Sequence, residues 1–239
     1  MHYQEMKPNT VLRTSNAEGI LLLHQGNTQA ARRCFEVSIK CLVSRMESSE
    51  PAYDENVECH TGVSIAAVSL DMSETRPEYA VSPEGIFEVC GKCFILKGES
   101  LQSTRQEVAA AAILFNTAIA LHMDFLKTGI LKCLQRASSF YCKAFQIMSM
   151  NGDVAHASVD TVECMLFLAI LNNLGHCFAH VFDTGSATAC RERIRDILMC
   201  RFHQLREEGY GFEDDFESFL SIHAIENGES VLMKISPAA

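Results

Sequence analysis

Two pairs of side chains have types and spacing that could bind a metal ion or support redox chemistry. Cys90 and Cys93 form a C-x-x-C sequence, and His176 and His180 lie four residues apart, which would place both rings on one face of a helix. A zinc site needs about four such ligands, yet the chain has neither a second C-x-x-C nor an H-E-x-x-H sequence. The two cysteines also lie within a β-like run, where their sulfur atoms would point to opposite faces. We therefore expect no metal and no cofactor; a metal-binding or enzymatic protein that uses either pair is the alternative hypothesis.

Other sequences typical of catalytic or ligand-binding centres are absent. The chain has no Gly-rich phosphate loop, no G-x-S-x-G and no Rossmann fingerprint, and the acidic run at 213–217 lacks the ligand spacing of a calcium loop. It carries 20 Lys and Arg against 30 Asp and Glu, a formal net charge of −10. Because phosphate affinity depends on clustered basic side chains, this balance argues against a nucleic-acid partner. The sequence thus predicts a protein that is not an enzyme.

The length of 239 residues and the hydrophobic share of 48% are sufficient for a sizeable core. Several of the eleven cysteines lie inside apolar periodic segments, where reduced cysteine behaves as a small buried hydrophobe. No secretory signal is expected from the start of the sequence, and no apolar run is expected to reach the ~18 residues of a membrane span. We expect an intracellular protein, cytoplasmic or nuclear, with no membrane partner.

The elements that would position these side chains are mostly helical. Apolar periodicity predicts three helical pairs within a single domain, at about 14–47, 103–151 and 157–208. Ser15 or Asn16 would cap the first helix. Turns are expected at Gly26-Asn27, at Gly129 and at Asp183-Thr184-Gly185.

A smaller part of the chain is β-like. Residues 63–70 and 86–96 read as strands within an insert at 62–98, separated by a long loop. A C-terminal segment at 216–236 contains strands at 217–225 and 230–235 around Asn227-Gly228, a hairpin signal. Because a lone hairpin is marginal in water, we expect these strands to share one small antiparallel sheet.

The helical pairs share a pattern: a small residue, a turn glycine, then Ala-x-x-x-aromatic-x-x-small. The pattern comprises Gly19, Gly26, Ala31, Phe35 and Ser38 in the first pair, Ala118, Gly129, Ala137, Tyr141 and Ala144 in the second, and Gly175, Gly185 and Ala187 in the third, where Arg191 takes the aromatic place. This spacing resembles the tetratricopeptide repeat (TPR), whose small residues let two helices approach closely. The resemblance implies a mainly α fold of three stacked TPR-like hairpins, an α-solenoid, with a small appended antiparallel β-sheet. An ordinary helical bundle is the alternative, although stacking buries a continuous core that a single hairpin cannot.

The resemblance also implies a function, because TPR proteins bind extended peptides along the inner surface formed by their first helices. The residues on that surface would be Arg13, Asn16, His24, Phe115, Asn116, His122, Asn172, His176 and His180. Asparagine suits a peptide main chain because its amide both donates and accepts hydrogen bonds. The expectation is a non-catalytic adaptor or scaffold with a protein or peptide partner. In the alternative, Asn116 and Asn173 cap or bridge helices within the core, and a third hypothesis is a homo-oligomer.

Overall fold

The computed structural model describes residues 8–48, 64–97, 106–150 and 161–208. Within these residues the protein is mainly α-helical, with seven helices and one two-stranded antiparallel sheet, which confirms that part of the predicted fold class. The elements are α1 Pro8–His24, α2 Thr28–Ser48, β1 Ser64–Ser69, α3 Pro77–Ala80, β2 Lys92–Lys97, α4 Gln106–Thr128, α5 Leu131–Met150, α6 Thr161–His180 and α7 Thr184–Glu208. The predicted C-terminal strands at 217–225 and 230–235 lie outside the described residues.

The described residues fall into two compact units. Unit 1 contains α1, α2, β1, β2, α4, α5 and α3 up to Tyr79, and unit 2 contains residues 80–90, α6 and α7. In unit 1, α1 packs against α2, and α4 packs against both α2 and α5, while β2 lies on α1 and α4. In unit 2, α6 packs against α7. The helices of unit 1 are therefore neighbours in chain order.

The first helix begins earlier than its sequence suggested. The expected cap at Ser15 or Asn16 was wrong, because α1 starts at Pro8 and Asn16 lies fully buried in its middle. Proline is well tolerated in the first turn of a helix, where its missing N–H would have had no partner. Asn16 does not cap because its side chain has a tertiary partner instead.

Two of the three hairpin turns use glycine in a left-handed conformation. Gly26 and Gly129 have φ of 73° and 72°. In the third hairpin the predicted turn glycine, Gly185, lies inside α7, and the left-handed residue is Phe182, with φ of 60°. A side chain disfavours this conformation, so glycine content alone misplaced the turn. The 81% exposure of Phe182 means that its ring does not contribute to the core.

The sheet pairs β1 with β2 in an antiparallel register that sets Ala67 opposite Phe94. The predicted strand at 86–96 was too long at its start, because residues 86–91 make only an isolated bridge between Glu88 and Val81. The long loop expected between the strands contains the short helix α3.

Two of the described helices, α4 and α6, are long and apolar enough to cross a membrane by length and composition. This corrects the expectation that no apolar run reaches that length. In each helix, 83% of the apolar window is buried by the protein itself, as is typical of core helices.

Candidate functional site

A single asparagine on α4 binds the main chain of β2 with both ends of its side-chain amide. The Asn116 Oδ1 accepts a hydrogen bond from the Phe94 N–H at 2.9 Å, and its Nδ2 donates to the Phe94 carbonyl at 2.8 Å. Asn116 is fully buried. We call this arrangement the Asn116 clamp. It matches the main-chain donor and acceptor of one residue and does not depend on that residue's side chain.

Asn16 on α1 extends the Asn116 clamp. Its Nδ2 donates to the same Phe94 carbonyl at 3.1 Å, and its Oδ1 accepts a hydrogen bond from Asn116 Nδ2 at 2.9 Å. The Phe94 ring packs edge-on against Phe115 of α4, with centroids 5.3 Å apart. Two helices and one strand of unit 1 therefore meet at one satisfied polar network inside an apolar core.

Unit 2 contains a second clamp of the same kind, formed by Asn173 on α6. Its Oδ1 accepts a hydrogen bond from the Cys90 N–H at 2.8 Å, and its Nδ2 donates to the Cys90 carbonyl at 3.3 Å. We call this the Asn173 clamp. The preceding residue, Asn172, donates from Nδ2 to the Glu88 carbonyl at 2.6 Å. The two adjacent asparagines thus bind two alternate residues of an extended segment.

The Oδ1 atom of Asn172 differs from its counterparts in the two clamps. It is buried and has no hydrogen-bond partner among the residues that the structure describes. A buried carbonyl oxygen of this kind normally has a donor. Among the described residues of unit 2, the Asn172 side chain therefore presents a hydrogen-bond acceptor that residues 86–90 leave unused.

Phe87 supplies the aromatic residue that the third helical pair lacks. A Cβ atom on Gly175 of α6 would overlap the Phe87 ring, just as a Cβ on Gly19 of α1 would overlap the Phe35 ring. In the first pair the ring comes from the second helix, whereas Arg191 holds the corresponding place in α7. Phe87 is 1% exposed, so the extended segment fills the space against the small residue.

The structure buries most of the residues predicted to line the inner surface. Within unit 1, Asn16, Phe115, Asn116 and His122 are buried, Arg13 is half-buried and His24 is exposed.

Within unit 2, Asn172 and His176 are buried and His180 is half-buried. The asparagines of both units face the chain's own extended segments. The alternative, in which Asn116 and Asn173 bridge helices within the core, is confirmed for Asn116, whose Nδ2 donates to Asn16 Oδ1 and so joins α4 to α1. Asn173 instead joins α6 to an extended segment. Sequence reasoning missed Phe87 and Phe94 as contact residues, although the β-like run at 86–96 was the available signal.

His122 lies close to the Tyr141 ring, and His176 and His180 lie close to each other. His122 Nδ1 is 3.3 Å from the Tyr141 hydroxyl, and both side chains are buried. The ring centroids of His176 and His180 are 4.5 Å apart, as expected for residues one turn apart on α6. No group of three or more His, Cys, Asp or Glu that could hold a metal ion occurs within the described residues.

The thiols with perturbed acidity are less ionised than usual. Burial raises the pKa of Cys142, against a smaller opposing effect of a hydrogen bond with Ser138. Burial, with a further contribution from the charge of Glu18, raises the pKa of Cys34. A catalytic cysteine needs the opposite shift, because the thiolate is the nucleophile. These two side chains therefore do not have the environment of activated thiols.

A scan against protein-family models and searches of the curated proteins and of the solved structures find no match to this chain.

Proposed function

We propose that this protein is a non-catalytic interaction protein of the TPR-like class, an adaptor or scaffold that binds a peptide segment along the inner faces of its first helices. The observation that carries the proposal is the repeated asparagine clamp. Asn116 and Asn173 each use both ends of a side-chain amide to hold one main-chain unit of an extended segment. Recognition of this kind fits peptides rather than small molecules, since alternate residues of a strand present their main-chain groups to the same side.

We include in the same proposal that the helices form three stacked TPR-like hairpins. It is supported by the close approach of Gly19 to Phe35 and by the packing of α4 on α2. The turns of the first and third hairpins also have matching hydrogen bonds. The Asn27 N–H donates to the Leu22 carbonyl, and the Asp183 N–H donates to the Phe178 carbonyl, both at 2.9 Å and both across five residues.

The proposed setting is a reducing compartment, cytoplasmic or nuclear. Ten cysteines of the described residues are free thiols, which suits an environment where disulfides are rare. The formal net charge of −10 favours a protein partner over a nucleic acid.

Selection from a displayed peptide library tests the function. The purified full chain should enrich peptides, and the double variant Asn172→Ala with His176→Ala should lose their binding. Glu192→Gln on the exposed side of α7 is the matched control and should bind as the wild type does. Far-UV circular dichroism and thermal unfolding establish that each variant is folded. A folded double variant that binds every selected peptide normally would contradict the proposal.

A further inference from the structure

Residues 86–90 occupy the inner side of α6 in the way that a bound peptide would. The Glu88 carbonyl and the N–H and carbonyl of Cys90 face Asn172 and Asn173. The main chains of Phe87 and Val89 face residues 80–82 instead. The Phe87 carbonyl accepts a hydrogen bond from the Ser82 N–H at 2.7 Å, and the Val89 N–H donates to the Ala80 carbonyl at 3.0 Å. The segment is therefore extended and is held from both edges.

The side chains of this segment alternate between the interior and the solvent. Phe87 and Val89 are buried, at 1% and 9% exposure, whereas Glu88 between them is exposed. The Phe87 ring lies in the space that Gly175 leaves open. The site on α6 thus recognises an aromatic side chain and an aliphatic side chain two positions later. It also recognises the main chain of the residues that alternate with these two.

We infer that the external ligand of this protein is an extended peptide with an aromatic-x-aliphatic sequence, and that it binds by replacing residues 86–90 against α6. The inference rests on the proposed function and names both its ligand and its regulation. Residues 86–90 then compete with the external peptide for the same site on α6. The protein can bind a partner only in the fraction of molecules in which this segment has left the site.

The unused oxygen of Asn172 explains how an external strand competes with one that is covalently attached. Asn116 and Asn173 use both ends of their amides, whereas the buried Asn172 Oδ1 has no hydrogen-bond partner among the described residues. A strand whose main-chain N–H reaches this oxygen gains a hydrogen bond that residues 86–90 do not make. One such bond strengthens binding about tenfold. The attached segment has the advantage of a high effective concentration beside α6, and the added bond offsets part of that advantage.

Binding of a synthetic strand to a chain with a weakened internal segment tests the inference. The probe is a fluorescent peptide with the sequence of residues 82–91, in which Cys90→Ser prevents oxidation. The full chain carrying Phe87→Ala lacks the internal ring, so the probe ring can enter the space beside Gly175. We expect this variant to bind the probe at least tenfold more tightly than the wild type. The same probe with Phe87→Ala should bind the variant at least tenfold more weakly.

Val89→Ala is measured in parallel, because it removes only two carbon atoms from the segment and keeps the test available if Phe87→Ala fails to fold. It should bind the probe several-fold more tightly than the wild type. Equal binding of the probe and its Phe87→Ala version by either folded variant would overturn the inference.

Hydrogen exchange distinguishes failure of this inference from failure of the proposed function. A library-selected peptide should raise the exchange of the main-chain amides in residues 86–90 of the wild type. If selected peptides bind while these amides stay protected, the inference is wrong and the proposed function stands. If no peptide binds the wild type, Phe87→Ala or Val89→Ala, both are wrong.

Discussion

Replacing Asn116 by alanine should destabilise the protein far more than the loss of an ordinary side-chain hydrogen bond. The Asn116 amide makes three hydrogen bonds, one with the Phe94 N–H, one with the Phe94 carbonyl and one with Asn16 Oδ1. After Asn116→Ala the Phe94 carbonyl keeps its bond with Asn16 Nδ2. The Phe94 N–H and Asn16 Oδ1 lose their partners in a site that excludes water.

The expected loss in the free energy of unfolding follows from these two unpaired groups, the Phe94 N–H and Asn16 Oδ1. Each buried polar group without a partner costs about 1–3 kcal/mol, so Asn116→Ala should lower the free energy of unfolding by roughly 4 kcal/mol. That is a large part of the ~5–15 kcal/mol that stabilises a typical domain. The matched control is Thr117→Val, because Thr117 is also buried on α4 and its hydroxyl donates to the carbonyl of Ile113 in its own helix. Valine keeps the shape of threonine, so this control should cost about 1 kcal/mol.

Urea unfolding monitored by far-UV circular dichroism measures both variants, and an unchanged m value would show that the comparison is of stability alone. Hydrogen exchange should show faster exchange of the Phe94 amide in Asn116→Ala and wild-type protection in Thr117→Val. The reasoning is refuted if Asn116→Ala is no less stable than Thr117→Val, since the clamp would then contribute nothing beyond one ordinary hydrogen bond.

Two further predictions concern the helical hairpins. Gly19→Ala should lower the thermal unfolding temperature, because its Cβ would overlap the buried Phe35 ring and overpacking costs about 1–3 kcal/mol. Helix propensity alone predicts the opposite, a gain in stability of about 1 kcal/mol. An increase in stability would therefore contradict the close packing of Gly19 and Phe35. Hydrogen bonds from the Ser186 side chain and main-chain N–H lower the pKa of Asp183. Its carboxylate therefore contributes stability above the ordinary Asp pKa of about 3.9, and this contribution is lost as the pH falls through the lowered pKa. The stability difference between the wild type and Asp183→Asn, measured by thermal unfolding from pH 7 to pH 2, should shrink on acidification. A difference that grows would be inconsistent with stabilisation by these hydrogen bonds.

The helices could be located from the sequence because their signals are local. Apolar periodicity and turn residues placed α4 to α7 to within a few residues, and the alternation at 63–70 found β1. Gly19 and Phe35 were both named in the repeated pattern, but only the structure shows that the Phe35 ring lies against Gly19.

The same local signals failed at two places in the helices. The sequence marked Asn16 as a helix cap, yet its side chain bonds to Phe94, 78 residues away. It marked Gly185 as the third turn, yet α7 begins at Thr184 and the left-handed residue is Phe182.

By itself, then, the sequence determined most of the stretches that become helices and showed that polar amides lie within them, because periodicity and residue type act over a few residues. Only the tertiary structure decided what those amides bind. Main-chain N–H and carbonyl groups are the same at every non-proline position, so nothing in the residue types of 80–97 marks Phe94 and Cys90 as the partners of Asn116 and Asn173. Phe87 likewise fills the space beside Gly175 because the folded chain brings together residues that are 88 positions apart.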